Sequence, residues 1–171
     1  MGYGLVCGDQ PTKPHFIACG SINLMDGGNH FERLGGIYSS VARLVEQFHP
    51  TEVAIEAPFY GKNAQSMLKL GRAQGVAIAA VIAQNLSVEE YAPMKVKMAV
   101  TGNGDASKEQ VHGLLSKQFP QAQLDTLRHL DATDALAVAL CHYYQGMGAR
   151  PKSGGASSWA KFVEQNPDRV K

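Results

Sequence analysis

Apolar residues along the chain follow two different spacings, and the change from one to the other predicts the order of strands and helices. Short runs that are continuously apolar, or that alternate with polar residues, are typical of strands, whereas a return every three to four positions is typical of amphipathic helices. Strands are predicted over residues 3–8, 16–24, 52–57 and 88–92, and helices over residues 30–48, 64–85, 94–100, 107–119 and 131–145. This order predicts an α/β fold.

Residues between these segments support several of the boundaries. The connection DQPTKP is rich in turn-forming residues and favours a hairpin between the first two strands, while Pro50 closes the first helix. Ser107 is predicted to cap the N-terminus of a later helix. Gly71 and Gly75 are interpreted as places where another element packs closely, since each glycine costs a helix about 1 kcal/mol relative to alanine.

Composition narrows the class of protein. The formal net charge of +1 gives no global basic signal, so a DNA-binding surface would depend on local clusters of positive charge. The three cysteines form no CxxC pair, which favours a reducing cytoplasm. The most apolar run, residues 77–83, is too short to cross a membrane, and no membrane association is expected.

The 171 residues are enough for one domain with a hydrophobic core. Towards its end the chain becomes rich in glycine, serine, proline and basic residues. We therefore predict one domain over residues 1–146 and a flexible C-terminal tail over residues 147–171.

The stretch VAIEAPFYGKN, residues 53–63, places a carboxylate near the end of an apolar strand. Ligands of open α/β sheets bind outside the carboxyl ends of the strands, so Glu56 is a candidate site residue. The structural alternative is a solvated carboxylate on the polar face of a half-buried strand.

A second acidic cluster lies in HLDATDALAVALCHYY, where Asp131 and Asp134 share one face of a predicted helix. Capping explains both, with Asp131 as the N-cap and Asp134 beside the positive end of the dipole. The functional interpretation joins them with Glu56, because three adjacent carboxylates repel one another unless a cation such as Mg²⁺ is present. Two such ions about 4 Å apart can promote phosphodiester cleavage.

Aromatic and basic residues around these acids suggest a nucleic-acid surface. Phe59 and Tyr60 follow Glu56 on a predicted loop, where aromatic rings can stack on unpaired bases. Nearby basic residues are candidates for phosphate contacts, namely Lys62, Lys69, Arg72, Lys95, Lys97 and Lys108. The alternatives are core packing for the aromatic residues and simple solvation for the lysines.

Three segments, in order, resemble the RuvC family of Holliday-junction resolvases. VAIEAPFYGKNAQSMLKLGRAQGVAIAA is similar to that family's second acidic motif, YAPMKVKMAVTGNGDASKEQV to its basic segment, and LDATDALAVALCHYY to its C-terminal Asp-x-x-Asp motif. The resemblance covers about residues 2–145. The ordered combination is specific, whereas each motif alone is not.

This resemblance implies a ribonuclease H-like fold, in which a mixed sheet is flanked by helices. It implies a homodimer that cuts four-way DNA junctions symmetrically in recombination and repair, with two Mg²⁺ ions per site and a branch-migration motor as partner. The implied catalytic and metal-binding residues are Glu56, Asp131 and Asp134. The expected DNA-binding residues are Phe59, Tyr60, Lys62, Lys97 and Lys108.

The chain departs from the family at its beginning. The family's first motif is an apolar strand bearing Asp-Pro-Gly, followed by Thr-Gly-Tyr-Gly, and only its end is matched here by MGYG. Asp9 is the nearest acidic residue, but it lies beyond the strand that should follow. We therefore expect the chain to bind junctions and cut them slowly, and a reading frame that starts further upstream would supply the strand and its aspartate.

The lost strand should lie in the middle of the sheet, beside the strand that bears Glu56. Burying about four apolar side chains there stabilises a fold by roughly 6–12 kcal/mol, against a net domain stability of about 5–15 kcal/mol. Marginal folding or aggregation through unpaired strand edges is the expected result.

Two rival functions stay open. A non-catalytic junction-binding protein would keep Phe59 and the lysines without needing Glu56, and another ribonuclease H-like nuclease or RNA-processing protein would prefer a different substrate over four-way junctions. A metabolic α/β enzyme is disfavoured, because no GxGxxG follows a strand and TGNGDASK does not fit a P-loop. A dimer interface is expected on the helix that carries Leu68, Leu70 and Val76.

Overall fold

The computed structural model describes residues 1–10, 12–24, 28–58, 63–124 and 130–149. Its strands are β1 (Gly2–Cys7), β2 (His15–Ser21), β3 (Val53–Glu56) and β4 (Val88–Tyr91). Its helices are α1 (His30–Phe48), α2 (Ala64–Ile82), α3 (Pro93–Thr101), α4 (Lys108–Gln118) and α5 (Asp131–Ala149), with a 3₁₀ turn over Pro120–Ala122. The predicted order of elements is confirmed. The predicted tail lies outside the described residues from position 150 onward.

The four strands form two separate pairs. β1 and β2 form the predicted antiparallel hairpin, with Gly2 opposite Ser21, and β3 runs parallel to β4, with Glu56 opposite Tyr91. Within the described ranges these pairs do not join into one sheet, and the gap lies where the lost strand of the mixed sheet was expected, beside the strand that bears Glu56. An open cleft lies between them and is lined by β1 on one side and β3 on the other.

The hydrophobic core is centred on α5. Leu136, Leu140 and Cys141 of this helix are fully buried, together with Leu115 of α4 and Phe119. β1 lies so close to α5 that a Cβ atom at Gly4 would come within 2.6 Å of the Leu136 Cα atom. The two glycines of β1, Gly2 and Gly4, are therefore required by the close approach of strand and helix.

Local hydrogen bonds explain where the helices begin. The Ser107 hydroxyl accepts from the Gln110 N–H at 3.3 Å, and the Gln110 side chain accepts from the Ser107 N–H at 2.8 Å, which confirms Ser107 as a cap. Asn29 and Glu32 form the same reciprocal arrangement at the start of α1. The interpretation of Gly71 and Gly75 as packing sites is wrong for the described structure, because among the described residues a Cβ atom at either position would meet nothing within 4 Å.

The part of the chain that the structure describes contains no helix that is both long enough and apolar enough to cross a membrane.

Candidate active site

Glu56 is the last residue of β3, and its side chain is exposed. The strand end is held by two contacts: the Ala57 N–H donates to the Tyr91 carbonyl at 2.8 Å, and the Gln74 side-chain amide donates to the Glu56 carbonyl at 2.9 Å. Gln74 also donates to the Glu90 carboxylate at 3.3 Å, so it links α2 to the ends of β3 and β4. The backbone beneath Glu56 is therefore fixed from two sides.

Asp131 and Asp134 both lie in the first turn of α5, where the helix dipole favours negative charge. The Asp134 N–H donates to the Leu130 carbonyl at 3.0 Å, so Leu130 occupies the position before the helix. Asp131 is therefore the first helical residue and not the cap.

Electrostatics show that β3 and α5 bring two carboxylates together. Partial burial raises the pKa of Glu56, and the negative charge of Asp134 raises it further. The positive charges of Lys108 and Lys97 act in the opposite direction and lower the pKa of Glu56. The carboxylates of Glu56 and Asp134 are therefore close enough for their charges to interact, as the functional interpretation of the sequence expected.

Lys108 lies among the three predicted carboxylates. Its ammonium donates to the Asp134 carboxylate at 2.8 Å. This hydrogen bond raises the pKa of Lys108, burial lowers it, and the charges of Asp134, Glu56 and Asp131 raise it again. Lys108 therefore acts as the counterion of the acidic group.

A second positive charge lies at Asp131. The N-terminal ammonium of Met1 is 3.2 Å from the Asp131 carboxylate. Both aspartates of the first turn of α5 are thus paired with a positive charge. Asp134 pairs with Lys108 of α4, and Asp131 pairs with the ammonium of Met1, which directly precedes β1.

Among the residues that the structure describes, no three His, Cys, Asp or Glu side chains gather closely enough to form a complete metal site. The donor chemistry nevertheless fits Mg²⁺, which is commonly held by one or two carboxylates while phosphate oxygens and waters complete its coordination. Glu56 and Asp134 can supply such a pair, and Asp131 lies three positions before Asp134 on the same face of α5. The residues present therefore fit a metal that binds together with a phosphate.

The predicted DNA-binding residues divide into two groups. In the first group, Lys97 lies on α3 and Lys108 on α4, and the positive charges of both lower the pKa of Glu56. Phe59, Tyr60 and Lys62 lie outside the described residues.

Sequence reasoning missed Gln74 and the pairing of Lys108 with Asp134. The one available signal was that Gln74 precedes the buried Ala77 by three positions and therefore lies on the packed side of α2.

Asp9 does not join this group. The charge of Asp9 acts on Tyr143, where burial is the larger cause of a raised pKa. Tyr143 is twelve positions after Asp131 on α5, which corresponds to about 18 Å along a helix. Asp9 therefore lies near a part of α5 that is well removed from its first turn, and it does not replace a carboxylate of the site.

Comparison with known proteins places these observations in a family. Residues 1–142 match the family model of the crossover junction endodeoxyribonuclease RuvC. The protein of that name from Bacteroides fragilis is 51% identical over 173 residues, which cover 100% of this chain and 90% of the relative. The one from Porphyromonas gingivalis is 49% identical over 175 residues, covering 100% of this chain and 91% of the relative.

Solved structures agree with this result. The structure of T. thermophilus RuvC in complex with a Holliday junction substrate is similar with a TM-score of 0.77 and 28% identity, over 86% of this chain and 88% of that one. A further Thermus thermophilus RuvC structure gives a TM-score of 0.71 and 29% identity, over 86% of this chain and 89% of that one. The fold is therefore ribonuclease H-like, and resolvases of this kind are metal-dependent nucleases. By its sequence and its fold, the chain belongs to the RuvC family of crossover junction endodeoxyribonucleases.

Proposed function

We propose that this chain is a Mg²⁺-dependent endonuclease that resolves four-way DNA junctions in recombination and repair. The observation that carries the proposal is the grouping of Glu56, Asp134 and Lys108 where β3 ends and α5 begins, in a chain of the RuvC family. Carboxylates supply hard oxygen ligands and lysines supply phosphate contacts. One small region can therefore hold both a cation and a DNA backbone.

In this proposal Glu56 and Asp134 hold the metal, and Asp131 completes the acidic group. Mg²⁺, when bound, supplies the positive charge that activates a water molecule and stabilises the leaving oxygen; we expect two ions per site. Lys108 exchanges its contact with Asp134 for a contact with a DNA phosphate, and Lys97 binds a second phosphate from α3. This assignment is supported by the positive charges of both lysines, which lower the pKa of Glu56.

The proposal extends to the partners of the chain. We propose a homodimer that cuts a junction symmetrically and works with a branch-migration motor. Leu68 and Leu70 of α2 are 62% and 54% exposed, which supports this helix as part of the dimer interface. The aromatic pair Phe59 and Tyr60, with Lys62, stays a predicted DNA contact. The free cysteines of the described residues fit the predicted reducing cytoplasm.

A gel experiment tests this function. A labelled four-way junction is titrated with the 171-residue chain without metal, and Mg²⁺ is then added. We expect a shifted complex followed by paired nicks, and we expect Glu56→Gln to keep the complex while reducing nicking by at least about 100-fold. The matched control is Glu46→Gln on the exposed surface of α1. Equal binding of a linear duplex, or undiminished nicking by Glu56→Gln, would contradict the proposal.

A second candidate function, junction binding with little cutting, is favoured by one observation. The Lys108 ammonium lies 2.8 Å from the carboxylate of Asp134, one of the two side chains that the first proposal assigns to the metal. Tight binding without paired nicks at any Mg²⁺ concentration would support this candidate over the first.

A further inference from the structure

A chain of three polar side chains joins the β3–β4 pair to α5. The Tyr91 hydroxyl lies 2.9 Å from the Nδ1 atom of His142, and the Nε2 atom of His142 lies 3.2 Å from the Glu52 carboxylate. Tyr91 is the last residue of β4, His142 belongs to α5, and Glu52 directly precedes β3. We call these three residues the Tyr91–His142–Glu52 bridge.

The surroundings of His142 fix the direction of its hydrogen bond. An ionised carboxylate such as that of Glu52 can only accept, so its charge favours a proton on Nε2 and leaves Nδ1 as an acceptor. Burial is the main cause of the raised pKa of Tyr91, so its hydroxyl keeps its proton at neutral pH. The Tyr91 hydroxyl therefore donates to Nδ1. The Nε2 atom is buried and makes no aligned hydrogen bond among the described residues, so Glu52 acts on it through charge.

Both ends of the bridge are held by further contacts. The Glu52 carboxylate lies along α5, because a Cβ atom at Gly146, one turn after His142, would be 3.7 Å from it. Tyr91 is 6% exposed, its ring centroid lies 5.7 Å from that of His142, and the Lys95 ammonium lies 5.0 Å from the same centroid of Tyr91. These ring contacts do not need the hydroxyl, so packing and hydrogen bonding can be separated by substitution.

The bridge adjoins the candidate active site. Tyr91 is the register partner of Glu56 in the β3–β4 pair, and its carbonyl accepts from the Ala57 N–H at 2.8 Å. His142 follows Asp131 by eleven positions, or about three helical turns, so both lie on one face of α5. α5 contacts both β3 and β4. The bridge is therefore a polar connection between the strand that ends in Glu56 and the helix that begins with Asp131.

The placement of β3 against α5 decides whether two carboxylates can bind one metal ion. Glu56 is carried by the strand and Asp134 by the helix, so the distance between their carboxylates depends on how the two elements pack. Functional groups that bind one ion must be held within about 0.5 Å of the productive geometry. A buried hydrogen bond is directional and costly to break, so it restricts the strand and the helix to one arrangement.

We propose that His142 is a positioning residue of the candidate active site. Through Tyr91 and Glu52 it holds β3 against α5 at the spacing that the site carboxylates need to bind one divalent cation together. This inference rests on the proposed function, because that function assigns Glu56 and Asp134 to the metal. It adds residues that are not themselves metal ligands.

The test measures metal binding by the complete chain, with Mn²⁺ as the probe and the electron paramagnetic resonance signal of the free ion as the readout. Tyr91→Phe keeps the buried ring and removes only the hydroxyl. We expect this variant to fold and to raise the Kd for Mn²⁺ by about fivefold, the effect of one lost hydrogen bond. The measurement is made well below the melting midpoint, so a purely structural loss of stability leaves the Kd unchanged.

Tyr144→Phe is the matched control, because it removes another tyrosine hydroxyl from α5. That hydroxyl accepts from the Gln118 side chain at 2.9 Å and joins α4 to α5, not the strands to α5. The Kd for Mn²⁺ should therefore stay at the value of the unaltered chain.

Two substitutions at His142 separate its hydrogen bond from its bulk. His142→Asn keeps an acceptor close to the position of Nδ1, whereas His142→Leu is of similar size and offers the Tyr91 hydroxyl no acceptor. His142→Asn should therefore bind Mn²⁺ more tightly than His142→Leu. Tyr91→Phe remains decisive if His142→Leu does not fold.

Nitrogen NMR of the histidine rings gives a readout that needs neither metal nor DNA. In the unaltered chain, His142 should carry its proton on Nε2 and show Nδ1 as a hydrogen-bonded acceptor. Tyr91→Phe should shift the Nδ1 resonance, and Tyr144→Phe should leave it in place.

Two results would overturn the inference and leave the proposed function intact. The first is an unchanged Kd for Mn²⁺ in Tyr91→Phe together with a lower melting midpoint, which would show that the bridge only stabilises the fold. The second is a His142 spectrum that Tyr91→Phe does not alter, which would show that the bond is absent in solution.

Failure of the proposed function has a different signature. Glu56→Gln would then bind Mn²⁺ as tightly as the unaltered chain, or the unaltered chain would bind none. Either result would remove the metal from these carboxylates, and the positioning role of His142 would be rejected with it.

Discussion

Among single residues, Glu56 is held in an environment that disfavours its charge. Burial and the negative charge of Asp134 raise its pKa, and Lys108 and Lys97 only partly oppose this. A carboxyl group whose pKa is higher in the folded state binds its proton more tightly there. The folded state is therefore destabilised as the pH rises from below the usual value of 4.5 through the folded pKa, and the full cost is present at neutral pH.

Glu56→Gln should consequently stabilise the protein at pH 7, although the same variant is expected to nick junctions far more slowly. Because the side chain is exposed and solvent screens its charge, we expect the melting midpoint to rise by only about 1–2 °C. The gain should vanish below pH 4.5, where the carboxyl is protonated in both states. Thermal melts of the variant and of Glu46→Gln at pH 7 and pH 4 check this, and an equal gain at both pH values would refute the electrostatic explanation.

The chemistry of the acidic group was predictable from the sequence, but its pairing was not. Glu56 and Asp134 were expected to lie close together because both belong to the ordered motifs that resemble the RuvC family. Lys108 is 26 positions from Asp134, and no spacing rule connects them. Their contact depends on how α4 and α5 pack, which is a property of the tertiary fold.

Among secondary-structure elements, the contact of β1 with α5 is the tightest constraint. A Cβ atom at Gly4 would meet backbone atoms of Leu136 and Ala135 at 2.6–3.0 Å, so it cannot be accommodated by turning a side chain. We expect Gly4→Ala to lower the free energy of unfolding by about 1–3 kcal/mol through overpacking. Urea unfolding followed by circular dichroism measures this change.

Gly75→Ala is the matched control, because it makes the same chemical change in the middle of α2, where no atom of the described residues lies within 4 Å of the new methyl group. It should raise the free energy of unfolding by up to about 1 kcal/mol. A destabilising Gly75→Ala, or a neutral Gly4→Ala, would show that the described packing of these elements is wrong.

The order of strands and helices could be predicted from the sequence because apolar periodicity is a local property. Capping by Ser107 could be predicted because it also depends only on nearby residues. The glycines were less informative. Gly75 of α2 has open space around it and Gly4 of β1 is in close contact with α5, and this difference arises from tertiary packing that the sequence does not show. Sheet assembly was predictable only in part. The β1–β2 hairpin was predicted, and the gap between the two pairs lies where the resemblance placed the missing strand, whereas no local pattern predicted the parallel pairing of β3 with β4.

For the whole molecule, the net charge of +1 means that DNA affinity depends on where the lysines lie. Each phosphate contact that is lost should reduce the slope of log affinity against log salt by about 0.9. Lys97→Gln and Lys108→Gln should each do so for a four-way junction. Lys117→Gln, in the exposed last turn of α4, should leave the slope unchanged. Binding titrations at several salt concentrations, without metal, test this, and equal slopes for all three variants would argue against the proposed DNA surface.

The bond from the Tyr143 hydroxyl to the Gln10 carbonyl has a consequence during protein synthesis. It joins residues 133 positions apart, and the packing of β1 on α5 spans a similar distance. At about 5–20 residues per second, a ribosome needs roughly 7–27 s to make the residues between them. During that interval the hairpin of β1 and β2 cannot pack on α5, because α5 has not yet been synthesised. Chaperone demand should therefore be set by translation speed, and slowing elongation before α5 should lower the yield of folded chain.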